Sequence, residues 1–397
     1  MDSRFYKREN VKYNLYPQNT KILNILSKIV ITNRKYEKIK NKLNVFIKNM
    51  FSIENDDIYY YSSGSSALEN FLKQLVKEKN VKNIYIPSFS CMELADSIIR
   101  SNCEIKVYDI QKDLTPNIET LRNISKDKKA VLILSSFFGK NTYSEEFIKV
   151  LENMEIPIIL DEAQSFPNIS LNLHNAISKC AILISFGKSK PISGIGGGAI
   201  INKNLLKEKL IEKNLINDKK YICDILYQIK ERVLNKVRKY MKKTPLNLDK
   251  YKSLEELILD KKELIQKTEA ISKLQIIVAY YRLKNYIKKY EKRKDFDYKI
   301  NNIFGDKLLC DYNYIPLICN NENRYETMQE LGKKGIQCTI YYYPLHLIPF
   351  YTNKFELENC INTENIFSKI IIVPFSIDYK KKNLQEIIKI IENKKDD

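Results

Sequence analysis

The sequence predicts an α/β protein with a mostly parallel central sheet flanked by helices and a smaller α/β domain at the C-terminal end. Short apolar segments typical of buried strands alternate with helical segments between about residues 58 and 184, which indicates a parallel sheet covered on both faces. The length of 397 residues is sufficient for two domains with separate cores. The hydrophobic content of 44% indicates a folded globular chain.

Surface helices are predicted before this alternating region, because apolar residues recur at helical spacing over residues 20–50. The last strand of the sheet is predicted at residues 181–184. The other predicted elements are strands at 58–61, 83–87, 105–109, 130–134 and 156–160, and helices at 67–75, 92–100 and 144–154.

Residues 203–268 form a predicted insertion of charged helix without strand signals. Within it, residues 226–243 combine an apolar helix face with many lysines and arginines. Such a helix either docks on its own protein or lies on an anionic membrane or polymer. The sequence leaves both readings open.

A second domain is predicted after this insertion, reached through one long helix at residues 272–294. We place the N-terminal helices, the large α/β domain and the insertion in residues 1–299, and the small α/β domain in residues 300–397. Its predicted elements are strands at 314–318 and 369–373 and helices at 325–334 and 384–394.

The formal net charge of +19 favours anionic partners, such as phosphorylated substrates, nucleic acid or an anionic membrane. The alternative is an A/T-rich genome, which would produce the same excess of lysine without selection for binding. The eight cysteines form no C-x-x-C pair, which argues against a disulfide framework or a structural metal site. With no long apolar run and no signal-peptide core at the N-terminus, the sequence predicts a soluble cytoplasmic protein.

A glycine-rich loop follows the strand predicted at 181–184. Half of the ten glycines of the chain lie between Gly187 and Gly198, and glycine allows backbone to approach a ligand closely. The same loop carries Lys188 and Lys190. The loop is therefore a predicted site of chemistry.

Polar groups also follow two other predicted strands. Ser65 and Ser66 open a helix, where they form either an anion site or an ordinary helix cap. Asp161 ends an apolar run, where a carboxylate requires a cation. That cation is either Lys190 or a cofactor nitrogen. Pyridoxal phosphate needs a lysine, a carboxylate and an anion site together.

These segments resemble the motifs of the DegT/DnrJ/EryC1/StrS family of pyridoxal-phosphate-dependent sugar aminotransferases, which have the type I fold of aspartate aminotransferase. The resemblance runs from about residue 45 to the C-terminus and is interrupted by residues 203–268. The similar segments are 64–68 for G-T-x-A-L, 86–90 for V-P-x-Y/F-T, 161–164 for D-x-A-Q, 185–190 for S-F-x-x-x-K, 194–197 for G-x-G-G and 341–346 for H-Y-x-P-L-H.

The resemblance implies a role for each residue of the cofactor site. Lys190 forms the Schiff base and moves a proton, Asp161 pairs with the pyridinium nitrogen, and Gln164 contacts the phenolic oxygen of the ring. Lys188 lies two positions early and is assigned a solvated role or a contact with a substrate phosphate. The expected phosphate ligands are Gly64, Ser65, Ser66 and Ser185.

Three departures from the family pattern affect the assignment of these roles to this chain. Cys91, a predicted cofactor-binding residue, stands where an aromatic residue usually stacks on the cofactor, so either the stacking is weaker or Phe89 or another residue substitutes. The G-Y-N-x-R segment is not recognisable, and Tyr341 replaces the first histidine of H-Y-x-P-L-H. The predicted substrate contacts are Lys188, Tyr341, Tyr343 and His346.

The function implied by the resemblance is transfer of an amino group from an amino acid, expected to be glutamate, to a keto group on a nucleotide-linked sugar for surface glycan synthesis. A homodimer is expected, and nucleic acid is not an expected partner. One alternative is a related sugar dehydratase, which we expect to lack the lysine. Another is an anionic membrane or polymer-binding protein that uses residues 226–243.

Overall fold

The computed structural model describes most of the chain, with gaps in the N-terminal part and in the insertion. The described residues are 33–54, 56–139, 142–210, 215, 258–264, 270–305, 308, 314–319, 324–375 and 381–392. The basic segment predicted at 226–243 lies outside them.

The predicted mostly parallel sheet is confirmed, and seven strands of the described residues form it in the order β1-β7-β6-β5-β4-β2-β3. Strands β2 to β6 pair in parallel, whereas β7 pairs antiparallel with both β1 and β6. The bounds are β1 Asp57–Tyr61, β2 Asn83–Pro87, β3 Glu104–Tyr108, β4 Ala130–Ser135, β5 Ile158–Asp161, β6 Cys180–Ser185 and β7 Gly198–Lys203.

Strand β7 corrects the prediction that residues 181–184 are the last strand of the sheet. Its apolar part is only Ala199-Ile200-Ile201, preceded by glycines and followed by Asn202 and Lys203. Because a short apolar run beside glycines is typical of a loop, the sequence pattern does not predict this strand. Pairing with two neighbours stabilises it in spite of its composition.

Helices cover both faces of the sheet and continue into the C-terminal part. Serine or asparagine side chains cap several of them, as at Ser63 and Ser144. The bounds are α1 Asn33–Phe51, α2 Gly64–Lys79, α3 Met92–Arg100, α4 Ile118–Ser125, α5 Glu145–Glu152, α6 Leu171–Ala176, α7 Lys273–Ile287, α8 Tyr290–Phe304, α9 Arg324–Lys333, α10 Pro349–Thr352, α11 Ile361–Lys369 and α12 Lys381–Ile391.

The prediction of a single helix at residues 272–294 is wrong, because two helices occupy this region. Helix α7 starts at a capping box formed by Ser272 and Gln275 and packs on α1, where Phe46 stacks on Tyr280 with ring centroids 5.6 Å apart. Helix α8 belongs to another apolar cluster, together with the small sheet. The polar run between the two helices has helical propensity throughout and gives no sequence signal for the break.

The main sheet has a hydrophobic core on each face. In β4, Leu132 and Leu134 belong to one cluster, and Val131 and Ile133 belong to the other. Alternate side chains of a strand point to opposite faces, so β4 is buried on both sides. This burial explains the continuous apolar runs that predicted the parallel sheet.

A small antiparallel sheet follows in the C-terminal part, formed by β8 Tyr314–Ile318 and β9 Ile370–Pro374. These strands confirm the two predicted there. Within the described residues, none of the helices combines the length and the apolar composition required to cross a bilayer.

Candidate active site

The carboxyl ends of adjacent strands bring the polar residues of the candidate site together. Asp161 at the end of β5 is in register with Ser135 on β4 and Leu183 on β6. Ser185 ends β6 two residues further along. In open α/β sheets, ligands bind beyond this edge, so the topology supports the position predicted from sequence.

Asp161 is oriented by two hydrogen bonds from its own chain. The backbone N–H of Ala163 donates to Oδ1 at 3.0 Å, and the Ser135 hydroxyl donates to Oδ2 at 3.3 Å. Burial raises the pKa of the Asp161 carboxyl above its ordinary value, and the positive charge of Lys190 is the largest effect that opposes this rise. The positive charge of Lys190 therefore acts on the Asp161 carboxyl across the strand ends.

The lysine loop turns tightly as it leaves β6. The N–H of Gly187 donates to Ser185 Oγ at 3.3 Å, and the N–H of Lys190 donates to the carbonyl of Gly187 at 3.1 Å. Lys190 is half-buried, whereas Lys188 is exposed. The two lysines of the loop thus differ in exposure.

The anion site is predicted at the start of α2, where the cap is Ser63. The Ser63 hydroxyl accepts from the N–H of Ser66 at 3.1 Å and lies 3.1 Å from Ser65 Oγ. Ser66 is fully buried, and Ser65 is half-buried. Because Ser63 serves as the cap, the N-terminal end of this 16-residue helix retains N–H groups and a dipole that favour an anion.

Close backbone packing joins this helix start to the lysine loop. A Cβ added to Gly64 would lie 3.2 Å from Ser185 Cβ, and one added to Gly198 would lie 2.4 Å from the Gly64 nitrogen. A Cβ added to Gly194 would lie 2.7 Å from the Phe186 carbonyl oxygen. At these positions the loop glycines permit contact with the protein's own backbone, where the sequence suggested room for a ligand.

Gln164 is held by both ends of its amide. The N–H of Phe138 donates to Gln164 Oε1 at 3.1 Å, and Gln164 Nε2 donates to the hydroxyl of Tyr342. Tyr342 was not among the predicted site residues, although Tyr341 and Tyr343 beside it were. The available signal was its position as the tyrosine of H-Y-x-P-L-H.

Cys91 lies in the same neighbourhood, at the N-terminal cap position of α3. Burial raises the pKa of its thiol, and the charge of Lys190 is the largest opposing effect. Phe89, the substitute suggested for ring stacking, is fully buried edge-on against Phe137 and Tyr342. Cys91 and Tyr342, by contrast, are both partly exposed.

The predicted substrate contacts of segment 341–346 have different surroundings. Tyr341 is buried and stacks on Tyr342, while Tyr343 packs edge-on against Phe367 at 5.1 Å between centroids. His346 is buried, with Nδ1 2.6 Å from Ser88 Oγ and Nε2 3.0 Å from Glu364 Oε1. His346 therefore links two segments of the protein, and its contact with a substrate stays a prediction.

The family model for the DegT/DnrJ/EryC1/StrS aminotransferase family matches residues 24–216 and 303–392. The chain belongs to this family. The match begins earlier than the motifs indicated, and its gap starts after residue 216. A sequence comparison with curated proteins finds no match.

Solved structures of family enzymes share the fold. PseC of Helicobacter pylori, an aminotransferase in pseudoaminic acid biosynthesis, has a TM-score of 0.62 with 14% identity over 97% of this chain and 99% of its own. The GDP-4-keto-6-deoxy-D-mannose-3-dehydratase of E. coli has a TM-score of 0.65 with 16% identity over 96% and 100%. A family aminotransferase of Brucella abortus has a TM-score of 0.60 with 16% identity over 94% of both chains.

The protein is accordingly a pyridoxal-phosphate-dependent enzyme of the aminotransferase type. Its described residues fit that cofactor, because an amine, a half-buried carboxylate and a helix N-terminus lie at one sheet edge. The approach of Gly64 to Ser185 places a hydroxyl beside the predicted phosphate position. The donor set is therefore consistent with the expected cofactor.

Proposed function

We propose that the enzyme transfers an amino group from an amino acid, expected to be glutamate, to a keto group on a nucleotide-linked sugar. The observation that carries this proposal is the meeting of Asp161, the Lys190 loop and the start of α2 at the strand ends, where the charge of Lys190 opposes the rise in the pKa of the Asp161 carboxyl. The sugar aminotransferases among the fold neighbours support the substrate class. Use of the amino sugar in a surface glycan and assembly as a homodimer belong to the same proposal.

Lys190 is the residue that we assign to covalent attachment and proton transfer. Pyridoxal phosphate supplies the aldehyde that carries the amino group and the ring that accepts electrons. The Lys190 amine would hold the cofactor through that aldehyde, with loss of water, and when free would move a proton at the substrate carbon. Its half-buried position keeps this amine beside the site while limiting access of water.

Asp161 is assigned to the ring nitrogen. Its carboxylate is half-buried, and a cationic partner offsets the cost of that burial. The hydrogen bonds from Ala163 and Ser135 fix the direction of the carboxylate. Asp161 therefore holds the ring nitrogen protonated, which strengthens the ring as an electron acceptor.

The start of α2 is assigned to the cofactor phosphate. Its backbone N–H groups and helix dipole attract the phosphate, and the Ser65 and Ser185 hydroxyls lie beside them. These groups would hold the cofactor through its phosphate, and Asp161 and Lys190 would hold it through the ring nitrogen and the aldehyde.

A sugar dehydratase is the alternative, since one fold neighbour catalyses that reaction. Lys190 favours transamination, because we expect the dehydratase branch to lack this lysine. The alternative based on residues 226–243 depends on a segment outside the described residues.

The test is an absorption spectrum of the purified protein with pyridoxal phosphate before and after borohydride, followed by peptide mapping. We expect a visible band that borohydride removes and a label on Lys190. A label on Lys188, or no band, contradicts the assignment. Formation of 2-oxoglutarate from glutamate with a panel of nucleotide-linked keto-sugars then identifies the acceptor, and release of water without amination indicates the dehydratase.

A further inference from the structure

Tyr342 is a candidate cofactor contact because its ring is held in one orientation. The ring stacks on Tyr341 with centroids 4.9 Å apart and planes at 25°. It also meets Phe89 edge-on, with centroids 5.7 Å apart. These aromatic contacts restrict rotation of the side chain, so the hydroxyl has a defined position beside Gln164.

The direction of the Gln164 amide determines what the Tyr342 hydroxyl can do. The N–H of Phe138 donates to Gln164 Oε1, so the Nε2 end of the amide faces Tyr342 and donates to its oxygen. The Tyr342 oxygen is thus an acceptor, and its own proton points toward another acceptor. A donor bound to a hydroxyl oxygen also polarises that hydroxyl and makes its proton a stronger donor.

The surroundings of Tyr342 keep this proton in place. Burial raises the pKa of the phenol well above its ordinary value, and Cys91, Tyr314 and Asp161 act in the same direction. The charge of Lys190 acts on both Cys91 and Asp161. The Tyr342 hydroxyl therefore shares the neighbourhood of the predicted cofactor residues and remains protonated at neutral pH.

We propose that Tyr342 donates a hydrogen bond to the phenolic oxygen of pyridoxal phosphate and that Gln164 directs this proton. The inference rests on the proposed function. An anionic oxygen is the acceptor that suits an oriented phenol, and the motif resemblance assigns the phenolic oxygen to Gln164. The added donor withdraws negative charge from that oxygen and lowers the proton affinity of the nitrogen that joins the cofactor to Lys190.

The first variant is Tyr342→Phe, which keeps the ring contacts and removes the hydroxyl. We expect the pH midpoint of the visible band to rise by about one pH unit, because the phenolic oxygen then holds the shared proton more tightly. The dissociation constant of the cofactor should rise about tenfold. If a folded Tyr342→Phe protein keeps both wild-type values, the inference is overturned.

The matched control is Tyr351→Phe, which removes the hydroxyl of a fully buried tyrosine. That hydroxyl donates to Asp96 Oδ1 at 2.8 Å and has no contact with Gln164 in the described structure. We expect the midpoint and the cofactor affinity of this variant to equal those of the wild type. An equal shift in both variants would indicate a general effect of stability and would overturn the inference.

The second variant, Gln164→Leu, tests the directing role. We expect its midpoint to rise and the shift of the double variant to be smaller than the sum of the single shifts, because the two side chains act as a unit. Additive shifts contradict that role. If Tyr342→Phe does not fold, an unchanged midpoint in Gln164→Leu overturns the inference. A wild-type protein without a borohydride-sensitive band refutes the proposed function itself, independently of Tyr342.

Discussion

The strand-end cluster and the aromatic segment 341–346 meet at Gln164 but are built by different means. Backbone pairing places Asp161 and Ser185, which lie in the register of β4, β5, β6 and β7. Side-chain contacts place Tyr342 and His346, through a stacked ring and a serine hydroxyl. Substitutions in the strand-end cluster should therefore alter the catalysed reaction with little effect on the fold. Substitutions in segment 341–346 should alter the positions of the side chains around the site.

The largest expected effect in the strand-end cluster is that of Lys190→Ala. Loss of the attaching and proton-transferring amine should lower kcat by about a thousandfold or more. The exposed Lys188 provides the control, since Lys188→Ala should retain the visible band and the cofactor affinity. Steady-state kinetics and spectra of the two variants measure the difference, and comparable loss in both would refute the assignment of Lys190.

Asp161→Asn should separate activity from stability. Because the variant lacks the carboxylate that would keep the ring nitrogen protonated, kcat should fall by about a hundredfold. The pKa of Asp161 is raised by burial, so its ionised form costs folding free energy once the pH exceeds the folded pKa, and this cost is absent below the unfolded pKa. The neutral amide of asparagine removes this free-energy cost.

The cofactor-free Asp161→Asn protein should accordingly be more stable than the wild type at pH 7, by about 1 kcal/mol. The two proteins should converge as the pH falls below the unfolded pKa of the carboxyl. Denaturant unfolding at both pH values measures this difference. A variant that is less stable at pH 7 would show that Asp161 stabilises the fold as an anion.

Gly198→Ala tests the backbone contact between β7 and the start of α2. The new Cβ would lie 2.4 Å from the Gly64 nitrogen, and backbone must move to relieve the clash. We expect destabilisation of about 1–3 kcal/mol together with weaker binding of the cofactor. Gly187→Ala is the control, because its Cβ would meet Lys190 Cγ and Ser185 Oγ at ordinary contact distances of 3.4 Å. Equal melting temperatures for the two variants would refute the steric argument.

Tyr314→Phe has the smallest expected effect and tests the link between the small sheet and the lysine loop. The Tyr314 hydroxyl donates to the carbonyl of Ser189, next to Lys190. Loss of this hydrogen bond should reduce stability by about 1 kcal/mol, with only a modest change in kcat. A loss of kcat comparable to that of Asp161→Asn would show that the link positions Lys190 directly.

The same contrast explains how much of the molecule the sequence could predict. Apolar runs predicted the parallel strands, and the polar residues at their ends predicted the cluster around Asp161. The contact between Tyr342 and Gln164 was not predicted, because it depends on the direction of an amide on another segment, and the Phe138 backbone sets that direction. Local patterns do not encode such contacts between distant segments.

The antiparallel pairing of β7 also has a consequence for how the protein folds during synthesis. Strand β1 joins the main sheet through β7, so residues near position 60 must wait for residues near position 200 to emerge. Pairing over such a long sequence separation is slow. The start of α2 and the lysine loop are thus expected to become native in one late step. A nascent chain would then acquire its cofactor site only after Gly198 is available.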